Sequence, residues 1–122
     1  MSTTPGREFY DRQVALLEAG DIEGLMSQYQ DDATLVSFDV TRHGVPALRD
    51  HFRDYLARLG SLRLLSTDRF TETEDAIFFE ATAQTDHGVA RVYDVFMLRD
   101  GKATHHFTGL IAFTPNGSDQ EP

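Results

Sequence analysis

The chain contains no cysteine, which excludes disulfides, a thiol nucleophile and thiolate metal sites and leaves stability to packing. Positive charge is scarce. Lys and Arg number 11 against 20 Asp and Glu, a formal net charge of −9. Nucleic acids and anionic membrane surfaces both require clustered positive charge to displace counterions, so neither is an expected partner. No apolar run approaches the length of a membrane span, and Met1 to Gly6 lacks the basic patch and apolar stretch of a signal peptide. A cytoplasmic protein is the expectation. No Gly-rich phosphate loop precedes a helix and no Gly-x-Ser-x-Gly turn occurs. There are five histidines, but His105 and His106 are neighbours on an expected strand and point to opposite faces, while His43, His51 and His87 have no ligand spacing. Neither a metal nor another cofactor is expected.

What is present describes a globular chain. Over 122 residues, 40% are hydrophobic and 25% charged, which suits one domain with a core of its own. Residues 1–113 read as that domain. Thr114 to Pro122, rich in Pro, Gly, Ser, Asp and Gln, reads as a flexible tail. Pro5 suits a first helical turn after Thr4, and Phe9, Gln13, Leu16 and Leu17 then share one helix face. Gly20 ends that helix and Asp21 caps a second carrying Ile22, Leu25, Met26 and Tyr29. Ala33 to Val40 reads as a strand and Thr41 to Gly44 as a turn. A third helix follows, with Pro46 in its first turn, an apolar stripe of Leu48, Phe52, Tyr55, Leu56 and Leu59, and Gly60 as its stop. From Ser61 the apolar period changes to two, through Ala76 to Thr85, Val89 to Leu98 and Lys102 to Phe113. Three helices followed by antiparallel strands make an α+β plan, with helices covering one face of a curved sheet.

The segments Ala19-Gly20-Asp21-Ile22-Glu23-Gly24-Leu25, Asp31-Asp32-Ala33-Thr34-Leu35-Val36, and Tyr93-Asp94-Val95-Phe96 through Asp100-Gly101-Lys102 resemble the SnoaL-like and ketosteroid-isomerase-like superfamily. The resemblance spans residues 8 to 113. It implies the cone-shaped fold of nuclear transport factor 2, with the three helices on the concave face of a mixed, mostly antiparallel sheet. It implies much less about activity, because that fold hosts isomerases, cyclases, epoxide hydrolases, dehydratases and non-catalytic subunits alike.

Asp94 is the most informative residue. Strand alternation places it in an apolar row with Ala90, Val92, Phe96 and Leu98. Burial there disfavours a charged carboxyl and favours a proton held for donation. By the Asp-x-Phe step, the resemblance matches Asp94 to the protonated aspartic acid that ketosteroid isomerases hold in their oxyanion hole. Its cross-strand neighbour depends on the turn. A two-residue loop at Asp100-Gly101 pairs Arg99 with Lys102 and puts His105 on the Asp94 face; a three-residue loop pairs Leu98 with Lys102 and sets Asp94 opposite His106. The second is preferred, because Thr104, His106, Thr108 and Leu110 then share the Asp94 face and Ala103, Phe107, Ile111 and Phe113 form an apolar outer face.

The resemblance implies a general base at the position of Ser37 and an oxyanion-hole Tyr at that of Gln13, and both residues depart from the pattern. Asp39 shares the Ser37 face and is the expected base or water activator, with His106 as the other choice. Tyr10, Tyr29 and Tyr55 are the remaining hydroxyl donors, Phe52 and Phe96 apolar lining. Thr108 stands where the Asp-Arg-Asp arrangement of limonene-epoxide hydrolases has a second carboxylate. The expected function is a cofactor-independent acid–base enzyme, an isomerase, cyclase or epoxide-opening enzyme, acting on a hydrophobic small molecule. The competing expectation is a non-catalytic binding or partner subunit. Since three helices cover only one sheet face, the other is expected to meet a second copy in a homodimer.

Overall fold

The first helix is set by its ends. The Thr4 side chain accepts from the Arg7 N–H, Pro5 occupies the first turn, and Gly20 stops the helix at φ 67° with its N–H turned back to the Leu16 and Leu17 carbonyls. The computed structural model describes residues 3–117, and this helix is α1 (Pro5–Ala19). The Asp21 carboxylate accepts from the Gly24 N–H and starts α2 (Ile22–Met26). After two short strands comes α3 (Val45–Leu59), closed by Gly60 at φ 77°. No helix among the described residues is long and apolar enough to cross a membrane.

The strands are β1 (Tyr29–Val36), β2 (Thr41–His43), β3 (Leu62–Glu72), β4 (Ala76–Thr85), β5 (Gly88–Arg99) and β6 (Lys102–Pro115). They form one sheet in the order β2-β1-β6-β5-β4-β3. Only β1 and β6 run parallel; the other neighbours are antiparallel. This is the expected α+β architecture: three helices against a curved, unclosed mixed sheet. The core lies between them and is largely aromatic, with Phe9, Tyr10, Tyr29, Phe52, Phe79 and Phe96 all buried.

Three local expectations are corrected. The first strand begins at Tyr29 instead of Ala33, because its entry is held by the last strand, the Ala103 N–H donating to the Gln28 carbonyl. Asp31 and Asp32 fall where the β1–β6 register shifts, which leaves both exposed without breaking the strand. Thr41–His43, expected as a turn, is a strand. The turn sits earlier, where the Ser37 hydroxyl accepts from the Asp39 and Val40 N–H groups and folds β2 back on β1. Finally, Thr114 and Pro115 belong to β6 instead of a tail, and the Asn116 side chain ties their end to Gln84 and to the Asp86 carbonyl. Residues 118–122 of the expected tail lie outside the described residues.

Candidate functional site: an apolar cavity over an Asp–His pair

The hairpin of β5 and β6 builds the floor of the site. Its loop has two residues, Asp100 at φ 55° and Gly101 at φ 77°, and Arg99 pairs with Lys102. Two successive left-handed residues fit the right-handed twist of the strands, which is why Asp-Gly forms this turn, and the three-residue loop is not formed. That register alone would turn His105 toward Asp94. A bulge at Thr104 inserts one residue into β6 and reverses the alternation, so Met97 faces His105, Phe96 faces His106 and Asp94 faces Thr108. The expected partner of Asp94 therefore arrives by a different route, diagonally across the strands.

The same bookkeeping corrects the outer face. Ala103 is fully buried beside Leu98 on the inner side. A second register shift at Ile111 returns Phe113 to a position opposite Ala90, whose side chain lines the cavity. On the outer face Phe78, Val95 and Phe107 are paired across three neighbouring strands, and Phe78 and Phe107 are exposed.

His106 and Asp94 are both buried and meet at 2.7 Å, Nε2 to Oδ1. The other ring nitrogen, Nδ1, lies 2.9 Å from the Tyr29 hydroxyl. Gln13 donates its amide to that hydroxyl at 3.2 Å, and Gln28 donates to the Gln13 carbonyl and to the Phe9 backbone oxygen. With Gln13 occupying an acceptor site on Tyr29, the Tyr29 proton goes to Nδ1. The His106 proton then sits on Nε2 and is donated to Asp94. Asp94 is thus an acceptor toward His106. Tyr29, burial of which pushes its hydroxyl well above the usual tyrosine range, keeps its proton for this role. Tyr29→Phe removes the donor to Nδ1 and strands the Gln13 amide, so urea unfolding should show a loss of about 1–3 kcal/mol.

Both His106 nitrogens are engaged, whereas Asp94 Oδ2 has no hydrogen bond to any described residue and keeps access to the cavity above it. That cavity has a volume of about 130 Å³ and is mainly apolar, with walls that include Val14, Leu17, Leu35, Phe52, Val92 and Phe96. A cavity near this volume admits a benzene-sized ring. Tyr10, Gln13, Tyr55 and Thr108 also line it. The three candidate tyrosines separate cleanly. Tyr10 is bonded to Thr67 and Tyr29 to His106, while the Tyr55 hydroxyl has no partner among the described residues. Burial, with the Asp94 charge adding to it, pushes the Tyr55 hydroxyl up to about 12, so it stays a proton donor at neutral pH.

Other expected residues lie elsewhere. Ser37 is spent on its turn, Asp39 is exposed beside it, and Leu110 is 61% exposed; none of the three lines the cavity. Much of the apolar wall and two polar lining residues, His51 and Thr85, escaped the sequence reading. His51 sits one turn before Tyr55 on α3, at the border of the Leu48, Phe52, Tyr55 stripe, and that helical spacing was the available signal. No group of metal-holding side chains occurs among the described residues.

A curved mixed sheet wrapped around three helices, with a carboxylate at the floor of an apolar cavity, defines a cone-shaped α+β protein of the NTF2-like class. The chain belongs to the SnoaL-like family, whose domain model matches residues 7–106. No curated protein matches it in sequence. Among solved structures, TerC co-crystallized with polyporic acid is 21% identical, covering 88% of this chain and 92% of its own at a TM-score of 0.76. A putative polyketide cyclase from Sinorhizobium meliloti is 12% identical, covering 84% and 94% at 0.74. An NTF2-like protein from Burkholderia pseudomallei is 15% identical, covering 89% and 92% at 0.77. At these identities the likeness establishes the fold.

Proposed function

We propose that the chain is an acid–base enzyme that moves a proton on a hydrophobic, carbonyl-bearing small molecule held in the cone. The observation that carries this reading is the free Asp94 oxygen at the floor of an apolar cavity, its other oxygen fixed by His106. Asp94 Oδ2 takes a proton from a C–H next to a carbonyl, and the C–H electron pair moves into an enolate. The Tyr55 hydroxyl donates to the developing oxyanion. Returning the proton at another carbon gives isomerisation; attack of the enolate carbon on a carbonyl in the same molecule, with that oxygen then protonated, gives cyclisation. His106 acts through Asp94 as a positioning residue. Two similar structures, one a co-crystal with polyporic acid and the other a putative polyketide cyclase, support a small organic ligand.

The direct test is conversion of cyclohex-3-enone to conjugated cyclohex-2-enone, followed by absorbance. Tyr55→Phe should slow turnover by about 10²–10³-fold, the loss typical of one oxyanion donor. No enzymatic rate above buffer for the wild-type protein, with the ring bound, would favour the second reading, a ligand-binding subunit. That reading draws support from Ser37, which occupies the place of the family's general base.

The same reading includes a homodimer through the outer sheet face, supported by the cross-strand row of Phe78, Val95 and Phe107, whose two phenylalanines are exposed. Equilibrium sedimentation should give twice the 13.7 kDa chain mass, and Phe107→Glu should return the chain mass.

A further inference from the structure

The mouth of the cavity holds a second functional group that the proton-transfer reading does not use. His51 lines the cavity from α3, its ring lying parallel to that of Tyr55 at 8° and 6.1 Å and edge-on to Phe52 at 5.3 Å. These contacts fix the plane of the ring. No described residue bonds to either of its nitrogens, and neither nitrogen is sealed from solvent without a partner. Burial, followed by the neighbouring Arg42, His106 and Arg58, lowers its affinity for a second proton, with Asp54 opposing. A neutral imidazole offers one N–H donor and one free acceptor. Beside it the Tyr55 hydroxyl is a donor that keeps its proton.

We propose that His51 is a ligand-recognition residue, accepting a hydrogen bond from a hydroxyl group on a neutral single-ring ligand held in the cavity. The ring size follows from the volume of about 130 Å³, close to that of a cavity known to hold benzene. Neutrality follows from the lining, which contains the Asp94 carboxylate and no Lys or Arg to compensate a ligand anion. The hydroxyl follows from the free acceptor on a mainly apolar wall. A substrate of this class carries its reacting C–H toward Asp94 and a hydroxyl toward the mouth. A ligand with several fused rings reaches beyond the enclosed volume and has to project through the opening. The inference rests on the proposed use of the cavity and names the substrate class for it.

The test uses phenol and toluene, which share a ring and differ in one hydroxyl. Binding is measured by calorimetry and by the ring-nitrogen NMR signals of ¹⁵N-histidine-labelled protein, with the His51 signals assigned from His51→Phe. Phenol should bind about 3- to 10-fold more tightly than toluene and should shift the His51 acceptor nitrogen, while toluene at equal occupancy leaves it in place. In His51→Phe, which keeps the ring stack, the preference should fall toward unity. If both probes bind but phenol leaves the His51 signal unmoved and His51→Phe keeps the wild-type preference, the recognition role is overturned and the cavity reading stands. If neither probe binds, the cavity does not take single rings, and both readings fall. The NMR readout on wild-type protein decides the matter even if the variant does not fold.

Discussion

Asp94→Asn should slow cyclohexenone isomerisation by about 10²–10⁴-fold, the contribution expected of one positioned base. The substitution isolates chemistry from structure because of how Asp94 is bonded. His106 donates Nε2–H to Oδ1, and the Asn side-chain oxygen can accept the same bond. The amide nitrogen then replaces Oδ2 at the cavity floor, where it can donate but cannot take a proton. The fold should therefore survive, with a urea midpoint near that of wild type, and the loss should appear in kcat with KM little changed. Turnover that stays at the wild-type rate would sink the assignment of Asp94 as the base. His106→Gln offers a contrast. It replaces the ring that fixes Oδ1, itself part of the cavity lining, and leaves Oδ2 in place, so a smaller loss in kcat is expected than for Asp94→Asn.

The largest expected loss of stability comes from Phe96→Ala. Phe96 is 1% exposed and sits at the centre of the aromatic core. Its ring stacks on His106 at 3.9 Å, meets Phe9 edge-on at 4.9 Å and lies parallel to Phe79 at 6.2 Å. Truncation removes the ring's burial and leaves a void that four elements would have to move to fill. A cost of about 3–5 kcal/mol is expected, against a total that for most domains is about 5–15 kcal/mol. Urea unfolding would show it directly. A loss below about 1.5 kcal/mol would mean that the neighbouring rings collapse into the space, contrary to the rigid floor argued for Asp94. The variant should also lose activity beyond its stability cost, because Phe96 supports one face of the His106 ring.

Much of the fold was legible because its punctuation is local. Pro5, Gly20, Asp21, Pro46 and Gly60 mark helix ends through backbone geometry that a few residues determine. The limits of β3 and β4 followed from the period-two pattern between polar turns. The start of β1 was hidden because it depends on Ala103, a partner far along the chain. The hairpin was read with the wrong loop yet with His106 on the right side, since the Thr104 bulge resets the alternation of β6, while Ala103 before it and Phe113 after a second shift were read on the wrong face; a bulge leaves no mark in the hydrophobic pattern. The pairing of Asp94 with His106 was visible in strand parity. The direction of that bond was not, because it is settled by Tyr29 and Gln13 on other elements. Asp39 looked competent by alternation alone; the Ser37 turn takes it away from the cavity.

The parallel pairing of β1 with β6 bears on how the protein is made. Leu35 registers with His106, so an early strand finds its central neighbour only in the last one. During synthesis α1, α2 and β1 leave the ribosome with no sheet to receive their apolar faces, and they must wait for the final hairpin to emerge. Loop closure over such a distance is slow compared with hairpin formation between adjacent strands. The β3-β4-β5 meander can therefore assemble first, and docking of β1 along β6 becomes the step that closes the cavity. Mutations in the β3–β4 hairpin, whose contacts form before that step, should then chiefly slow refolding, whereas mutations at β1–β6 contacts completed after the transition state should chiefly speed unfolding.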